Sequence, residues 1–194
     1  MNRTVRTFVA VEVSPEVRAK AKQLIATLSA AATGIKVKWS DPQDLHLTMK
    51  FLGDVDMLDV PGVCAAVEAA VKDLPPFDFQ VQGAGAFPDA QRPRTVWLGV
   101  REGSEELGIL HDCLEQALSP LGFRREQRRF RPHLTLGRVR SVPPEGAVDL
   151  AAMLAEHRDY FAGASDVSEV VVFSSELDRA GPKYEVLSTT ELKG

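Results

Sequence analysis

Cysteine is nearly absent from this chain: Cys64 and Cys113, 49 positions apart, are its two thiols. Neither has a CxxC partner, so the closely spaced ligand pairs of a structural zinc site are missing. A secreted disulfide framework is excluded on the same count. Both residues sit among apolar neighbours in apparent helices and are expected to be buried, reduced thiols. Long apolar runs are also lacking, and nothing approaches the roughly 18 residues that a membrane-spanning helix requires. After the basic start, Met1 to Arg6, only a short apolar run separates Thr7 from Glu12. That is too little for a signal-peptide core, so a cytoplasmic location without a membrane partner is expected. No GxxxxGK[ST] loop occurs, and Gly83-Ala84-Gly85 lacks the helix start and lysine of a phosphate loop. Neither ATP, another cofactor nor a divalent ion is called for.

What remains is an ordinary globular composition, with 194 residues, 44% of them hydrophobic and 26% charged. That length suits one domain or two small lobes on a shared core. The net charge of -4 hides an asymmetry. Between Arg124 and Arg140 lie seven arginines and one acid, Glu126, so this segment is +6 and the rest of the chain carries -10. A local positive field in an acidic protein suits a compact anionic ligand, although a solvated basic loop has the same composition.

The hydrophobic pattern alternates between strand and helix. Val9, Val11 and Val13 share one face of a strand from Thr7 to Val13. Ser14-Pro15 then caps a helix carrying Val17, Ala21, Leu24 and Leu28. Strands are predicted at Leu45 to Leu52 and Phe77 to Val81, with a helix from Leu58 to Val71 between them. The order then repeats: a strand at Thr95 to Arg101, a helix at Ser104 to Leu118, a strand at Pro132 to Val139 and a helix at Leu150 to His157. Strands at Glu169 to Phe173 and Tyr184 to Thr189 close the chain. This predicts an α+β fold of two pseudo-symmetric lobes, each an antiparallel-rich sheet with helices outside, flanking a central cleft. The repeats are about 5–85 and 94–190 within a single domain spanning 1–194. The stretch Gly83 to Ala86 with Pro88 to Pro93 reads as the joint.

Equivalent strands carry His46-Leu47-Thr48-Met49 and His133-Leu134-Thr135-Leu136. Residues i and i+2 of a strand share a face, so each strand offers an imidazole and a hydroxyl to one side and apolar residues to the other. With nine threonines and four histidines in the chain, two such apolar-flanked pairs arise by chance roughly 5 times in 10,000. An imidazole titrates near neutrality, so a pair across a cleft can divide general-acid and general-base work at one reacting centre. The threonine hydroxyls can donate to the non-bridging oxygens of a phosphate held between them. Either histidine can take either role. His111 and His157 have no Thr at +2 and read as a boundary residue and a helix-end residue.

Strict alternation places Lys50 on the His46 face, either as positive charge near an anion or as a solvated lysine at the strand end, and Arg131 on the His133 face toward the cleft. Arg138 at +5 should point away unless a bulge intervenes. Phe8 and Trp97 lie off the valine faces of their strands; Phe8 is a candidate for stacking on a base, and Trp97 is expected in the core. Two rival readings use the same residues. One is a metallophosphoesterase in which Asp44 joins His46 and His133, and the other is a non-catalytic RNA-end-binding module built on the Arg124 to Arg140 segment.

Almost the whole chain resembles the two-histidine phosphoesterase superfamily, in particular the RNA 2′,3′-cyclic phosphodiesterases once described as 2′-5′ RNA ligases. The likeness rests on Arg6 to Val11, on Trp39 to Gly53 around the first His-x-Thr, and on Phe130 to Arg138 around the second. Ser174-Ser175 and Gly181 to Tyr184 extend it to the closing strands. The resemblance implies metal-free hydrolysis of a ribonucleoside 2′,3′-cyclic phosphate to a 2′-phosphate, with 2′-5′ ligation as the possible reverse. It makes His46 the acid at the departing 3′ oxygen and His133 the base that activates water. Thr48 and Thr135 would hold the phosphate, and Arg138 would join the ligand site. The implied partners are RNA ends or small cyclic nucleotides, with a monomeric protein and no obligate protein partner.

Overall fold

Valines at every second position line one face of the first strand, and Phe8 and Ala10 on its other face are buried as well. In the computed structural model, which describes residues 3–32, 34–178 and 181–194, β1 (Thr4–Glu12) buries Val9 and Val11 beneath the helices. Met1 and Asn2, the start of the basic terminus, lie outside the described residues. The Ser14 hydroxyl accepts the Val17 amide at 3.3 Å and caps α1 (Pro15–Ala31). Val17, Ala21, Leu24 and Leu28 of that helix are buried. The leucines Leu107, Leu110, Leu114 and Leu118 do the same for α3 (Ser104–Leu118), whose bounds match the predicted ones. With α2 (Val60–Val71) and α4 (Pro144–Glu156), these helices share one continuous apolar core against the sheet. No helix among the described residues is long and apolar enough to cross a membrane.

The remaining strands are β2 (Lys36–Trp39), β3 (His46–Asp56), β4 (Phe77–Phe87), β5 (Thr95–Val100), β6 (His133–Ser141), β7 (Phe161–Val167), β8 (Glu169–Asp178) and β9 (Gly181–Glu191). All pairings are antiparallel, in the order β7-β4-β5-β6-β3-β1-β8-β9, with β2 beside β6. The two-lobed α+β architecture is therefore as expected, but its lobes are not successive halves of the chain. The run β4-β5-β6-β3-β1-β8 is unchanged on exchanging β1 with β5, β3 with β6 and β4 with β8. Each repeat thus gives its first two of these strands to one half-sheet and its third to the other. Strands from the stretches 5–85 and 94–190 therefore interleave in the sheet. A backbone seam of one residue pair, Leu47 with Leu134, joins the half-sheets at the centre.

Gly83 to Ala86 do not form a joint. They lie inside β4, where Gly85 pairs with Trp97 of β5. A Cβ on Gly85 would collide with the indole, and one on Gly99 would stand 3.1 Å from it. Small residues here let Trp97 lie across the sheet. Two strands escaped the periodicity: β2 alternates lysine with apolar residues over four positions, and β7 is built largely from small and polar residues. Cys64 and Cys113 are free but half-buried, more open than expected, because both lie beside the buried stripes of their helices rather than on them.

Gly85→Ala should displace the indole and cost on the order of 1–3 kcal/mol, as overpacking does. A denaturant midpoint equal to wild type would contradict the seat described.

Candidate active site

Antiparallel pairing of Leu47 with Leu134 fixes the geometry at the centre. Continuing that register one residue each way sets His46 opposite Thr135 and Thr48 opposite His133. Leu47 and Leu134 are fully buried, so the four polar residues all project to the other face. The two histidines occupy one diagonal of this quadrilateral, and diagonal neighbours in such a ladder stand about 7–8 Å apart. That span can hold one tetrahedral phosphate with an imidazole on each side.

Both rings are fixed through the same nitrogen. His46 Nδ1 donates to the Asp44 carbonyl at 2.8 Å, and His133 Nδ1 donates to the Arg131 carbonyl at 2.8 Å. A carbonyl only accepts, so each Nδ1 carries hydrogen and Nε2 is the nitrogen left for a ligand. The Asp44 carbonyl is itself held by a short 3₁₀ turn, Pro42–Asp44, capped by the Asp41 carboxylate on the Gln43 amide at 2.9 Å. Arg18 of α1 ties this turn down by donating to the Gln43 carbonyl, the Val13 carbonyl and the Glu12 carboxylate.

Aromatic rings surround each imidazole. His46 stacks on Phe8 at 4.8 Å and meets the edge of Tyr184 at 5.3 Å, while Phe8 stacks in turn on Phe173. His133 meets Phe87 edge-on at 4.9 Å. Burial pushes His46 down to about 4; the Arg18 charge acts the same way, and the Asp44 hydrogen bond opposes both. Burial also lowers His133, aided by the charges of Arg131 and Arg138 and opposed by the hydrogen bond to the Arg131 carbonyl. Both rings therefore favour the neutral form.

Two bulges at equivalent positions decide which other residues reach the cleft. Val9 pairs with Lys50 and Ala10 with Thr48, so Met49 is an extra residue in β3. Val96 pairs with Gly137 and Trp97 with Thr135, so Leu136 is extra in β6. Each bulge lies three residues after its histidine and inverts the alternation beyond it. Lys50, expected beside the phosphate, instead turns under the sheet. It is 3% exposed, bonded to the Glu115 carboxylate at 2.5 Å and to the Arg124 carbonyl at 3.0 Å. Phe51 takes the cleft side in its place, 63% exposed and 6.0 Å from Phe8. In β6 the inversion returns Arg138 to the cleft face, where its charge reaches both His133 and Tyr184.

Phe8 is also corrected. At 3% exposure, packed against His46, Phe173 and Tyr184, it is the platform beneath His46 rather than a surface for a base. Trp97, expected in the core, lies on the cleft side with its ring 5.0 Å from Phe87. The Arg131 guanidinium lies over both, 5.2 Å from Phe87 and 5.9 Å from Trp97. Phe51 and Tyr184 are the site residues that alternation and spacing did not single out. His111 is buried, stacks on Phe130 and faces Glu115 at 3.6 Å, and His157 donates to the Met153 carbonyl. Among the described residues no three His, Cys, Asp or Glu side chains could together hold a metal ion, so Asp44 does not complete a ligand set with the two histidines.

Fold and site together define a class. The chain belongs to the 2′-5′ RNA ligase superfamily, whose profile matches residues 15–179. Among its relatives, the RNA 2′,3′-cyclic phosphodiesterase of Methanothermobacter thermautotrophicus is 37% identical over 180 residues, covering 93% of this chain and 95% of that one. That of Thermotoga maritima is 34% identical over 189 residues, covering 97% and 96%. In three dimensions the chain matches a solved Thermus thermophilus protein with a TM-score of 0.78 at 26% identity, over 97% of this chain and 98% of that one. Escherichia coli LigT, solved in complex with 3′-AMP, shares the fold with a TM-score of 0.75 at 23% identity, over 99% and 100%.

Removing Lys50 alone should strand a buried carboxylate. Lys50→Met is expected to cost about 3–5 kcal/mol, and Lys50→Met with Glu115→Leu should recover most of that. Denaturant unfolding of the three proteins measures it; equal losses in the single and double variants would contradict the pairing.

Proposed function

We propose that this protein is an RNA 2′,3′-cyclic phosphodiesterase that opens the cyclic phosphate to a 2′-phosphate by metal-free acid–base catalysis. The observation that carries the reading is the central register, which sets two Nδ1-anchored imidazoles on one diagonal and two threonines on the other. Phosphoryl transfer needs an attacking and a leaving oxygen in line, with donors for the equatorial oxygens. His46 Nε2–H protonates the departing O3′, and neutral His133 Nε2 takes a proton from water on the opposite side. Thr48 and Thr135 donate to the non-bridging oxygens, and the cleft-side guanidiniums of Arg131 and Arg138 balance the phosphate charge. Phe51 offers the base a stacking surface.

The names of the curated relatives support this substrate class over a passive RNA-end binder. The chemistry asks for nothing beyond one chain acting on RNA ends or small cyclic nucleotides.

His46→Ala and His133→Ala should each lower kcat for 2′,3′-cyclic AMP by at least about a hundredfold, with wild-type turnover unaffected by chelator. Phosphorus NMR should identify the product as the 2′-phosphate; wild-type rates in both variants would refute the assignment.

The lowered histidines also set the pH profile. In the free enzyme the acid histidine loses its proton as pH rises through a value below 6.5, so kcat/KM should fall from there. A bound phosphodiester anion favours imidazolium and raises that value, so the alkaline limb of kcat should lie at higher pH than that of kcat/KM. Coincident limbs near pH 8 or above would count against it.

A further inference from the structure

The two imidazoles are oriented by the same bond, but the carbonyls that receive it are held differently. The Asp44 carbonyl belongs to a capped 3₁₀ turn that Arg18 ties to α1. The Arg131 carbonyl, which accepts His133 Nδ1–H, lies near the end of a stretch from Phe123 to Pro132 with neither helix nor strand. Among the described residues the backbone of this stretch makes no hydrogen bond to another backbone group. It carries five arginines against one acid, Glu126, and like charges so close repel one another. Local sequence therefore gives the Arg131 carbonyl no fixed place.

The tethers come from one buried ion pair. Lys50 Nζ donates to the Arg124 carbonyl at 3.0 Å, and Glu115 Oε2 accepts the Glu126 amide at 3.3 Å. The pair's own bond joins Lys50 Nζ to Glu115 Oε1. Phe130, the residue before Arg131, lies flat on the His111 ring, 4.2 Å away and 12° from parallel. His111 is one helical turn from Glu115 in α3, with its Nε2 3.6 Å from Glu115 Oε1. Strand β3 and helix α3 thus grip the stretch at three points, the last of them adjacent to the residue that orients His133. A buried ion pair stabilises a fold little beyond what apolar side chains of like volume would. Its distinctive contribution here is directional, toward two backbone groups that find no other partner among the described residues.

We propose that Lys50 and Glu115 are positioning residues for His133. The inference rests on the reading of the two histidines as acid and base. The pair sets the Arg131 carbonyl and, through it, the tautomer and angle of the second imidazole. Lys50 stands four residues after His46, so the strand of one histidine steadies the approach to the other.

The double variant Lys50→Met with Glu115→Leu separates this role from stability, because it keeps an apolar pair in the same space and deletes both tethers. At a denaturant midpoint near that of wild type, kcat for 2′,3′-cyclic AMP should fall about tenfold or more. Nitrogen NMR of the labelled histidines should show His133 passing from the tautomer with hydrogen on Nδ1 to a mixture of both, while His46 keeps its own. Glu126→Pro removes the amide donor alone and leaves the ion pair intact. It should move kcat and the His133 tautomer in the same direction by a smaller factor, and it decides the matter if the double variant does not fold. A wild-type kcat or an unmixed His133 tautomer in the folded variants overturns the proposal. Equal mixing at both histidines also overturns it, as a general loosening of the cleft. Wild type inactive on cyclic AMP would overturn the functional reading instead, and the His133 tautomer would then decide by itself whether the ion pair orients the ring.

Discussion

The site depends on a single antiparallel contact between two backbones. Leu47 and Leu134 pair at the centre of the sheet, and their buried side chains leave the flanking histidines and threonines no face but the cleft. One residue of slip in that register would exchange the two faces of the slipped strand and bury its histidine and threonine. Two buried apolar side chains thereby determine the orientation of the four polar groups beside them. The identical anchoring of each ring, through Nδ1 to the carbonyl two residues earlier, follows from the same local sequence folding in the same way twice.

Burial has two effects in this arrangement. Stacking against Phe8 and Tyr184 on one side and Phe87 on the other holds the rings in place. The same apolar surroundings disfavour imidazolium, as the depressed titration of His46 and His133 reflects. On the proposed reading, a phosphate anion between the rings would supply the missing counter-charge, and protonation and binding would reinforce each other.

Much of this was legible in the sequence because the strand periodicity is clean where the chain is half-buried. The two His-x-Thr strands, their shared face and the leucines of α3 followed from spacing alone. What could not be read was where the alternation breaks. A bulge leaves no mark in composition, and the extra residues Met49 and Leu136 look like ordinary core positions. Lys50 therefore seemed to face the phosphate when it is buried on Glu115, and Phe51 was overlooked. The exchange of β4 and β8 between half-sheets was hidden for a different reason: periodicity tells which face a strand buries, not which neighbour it pairs with.

That exchange bears on how such a molecule can arise. A short polypeptide with one His-x-Thr strand, passing its last strand to an identical copy and receiving one in return, builds the same central six-strand order. Symmetry alone would then supply the second histidine. Fusing the copies into one chain frees the halves to diverge, so that one histidine can come to sit over Phe8 and Tyr184 and the other beside Phe87 and the guanidinium of Arg131. Within one chain, two like histidine strands can thus occupy unlike surroundings, as these two do.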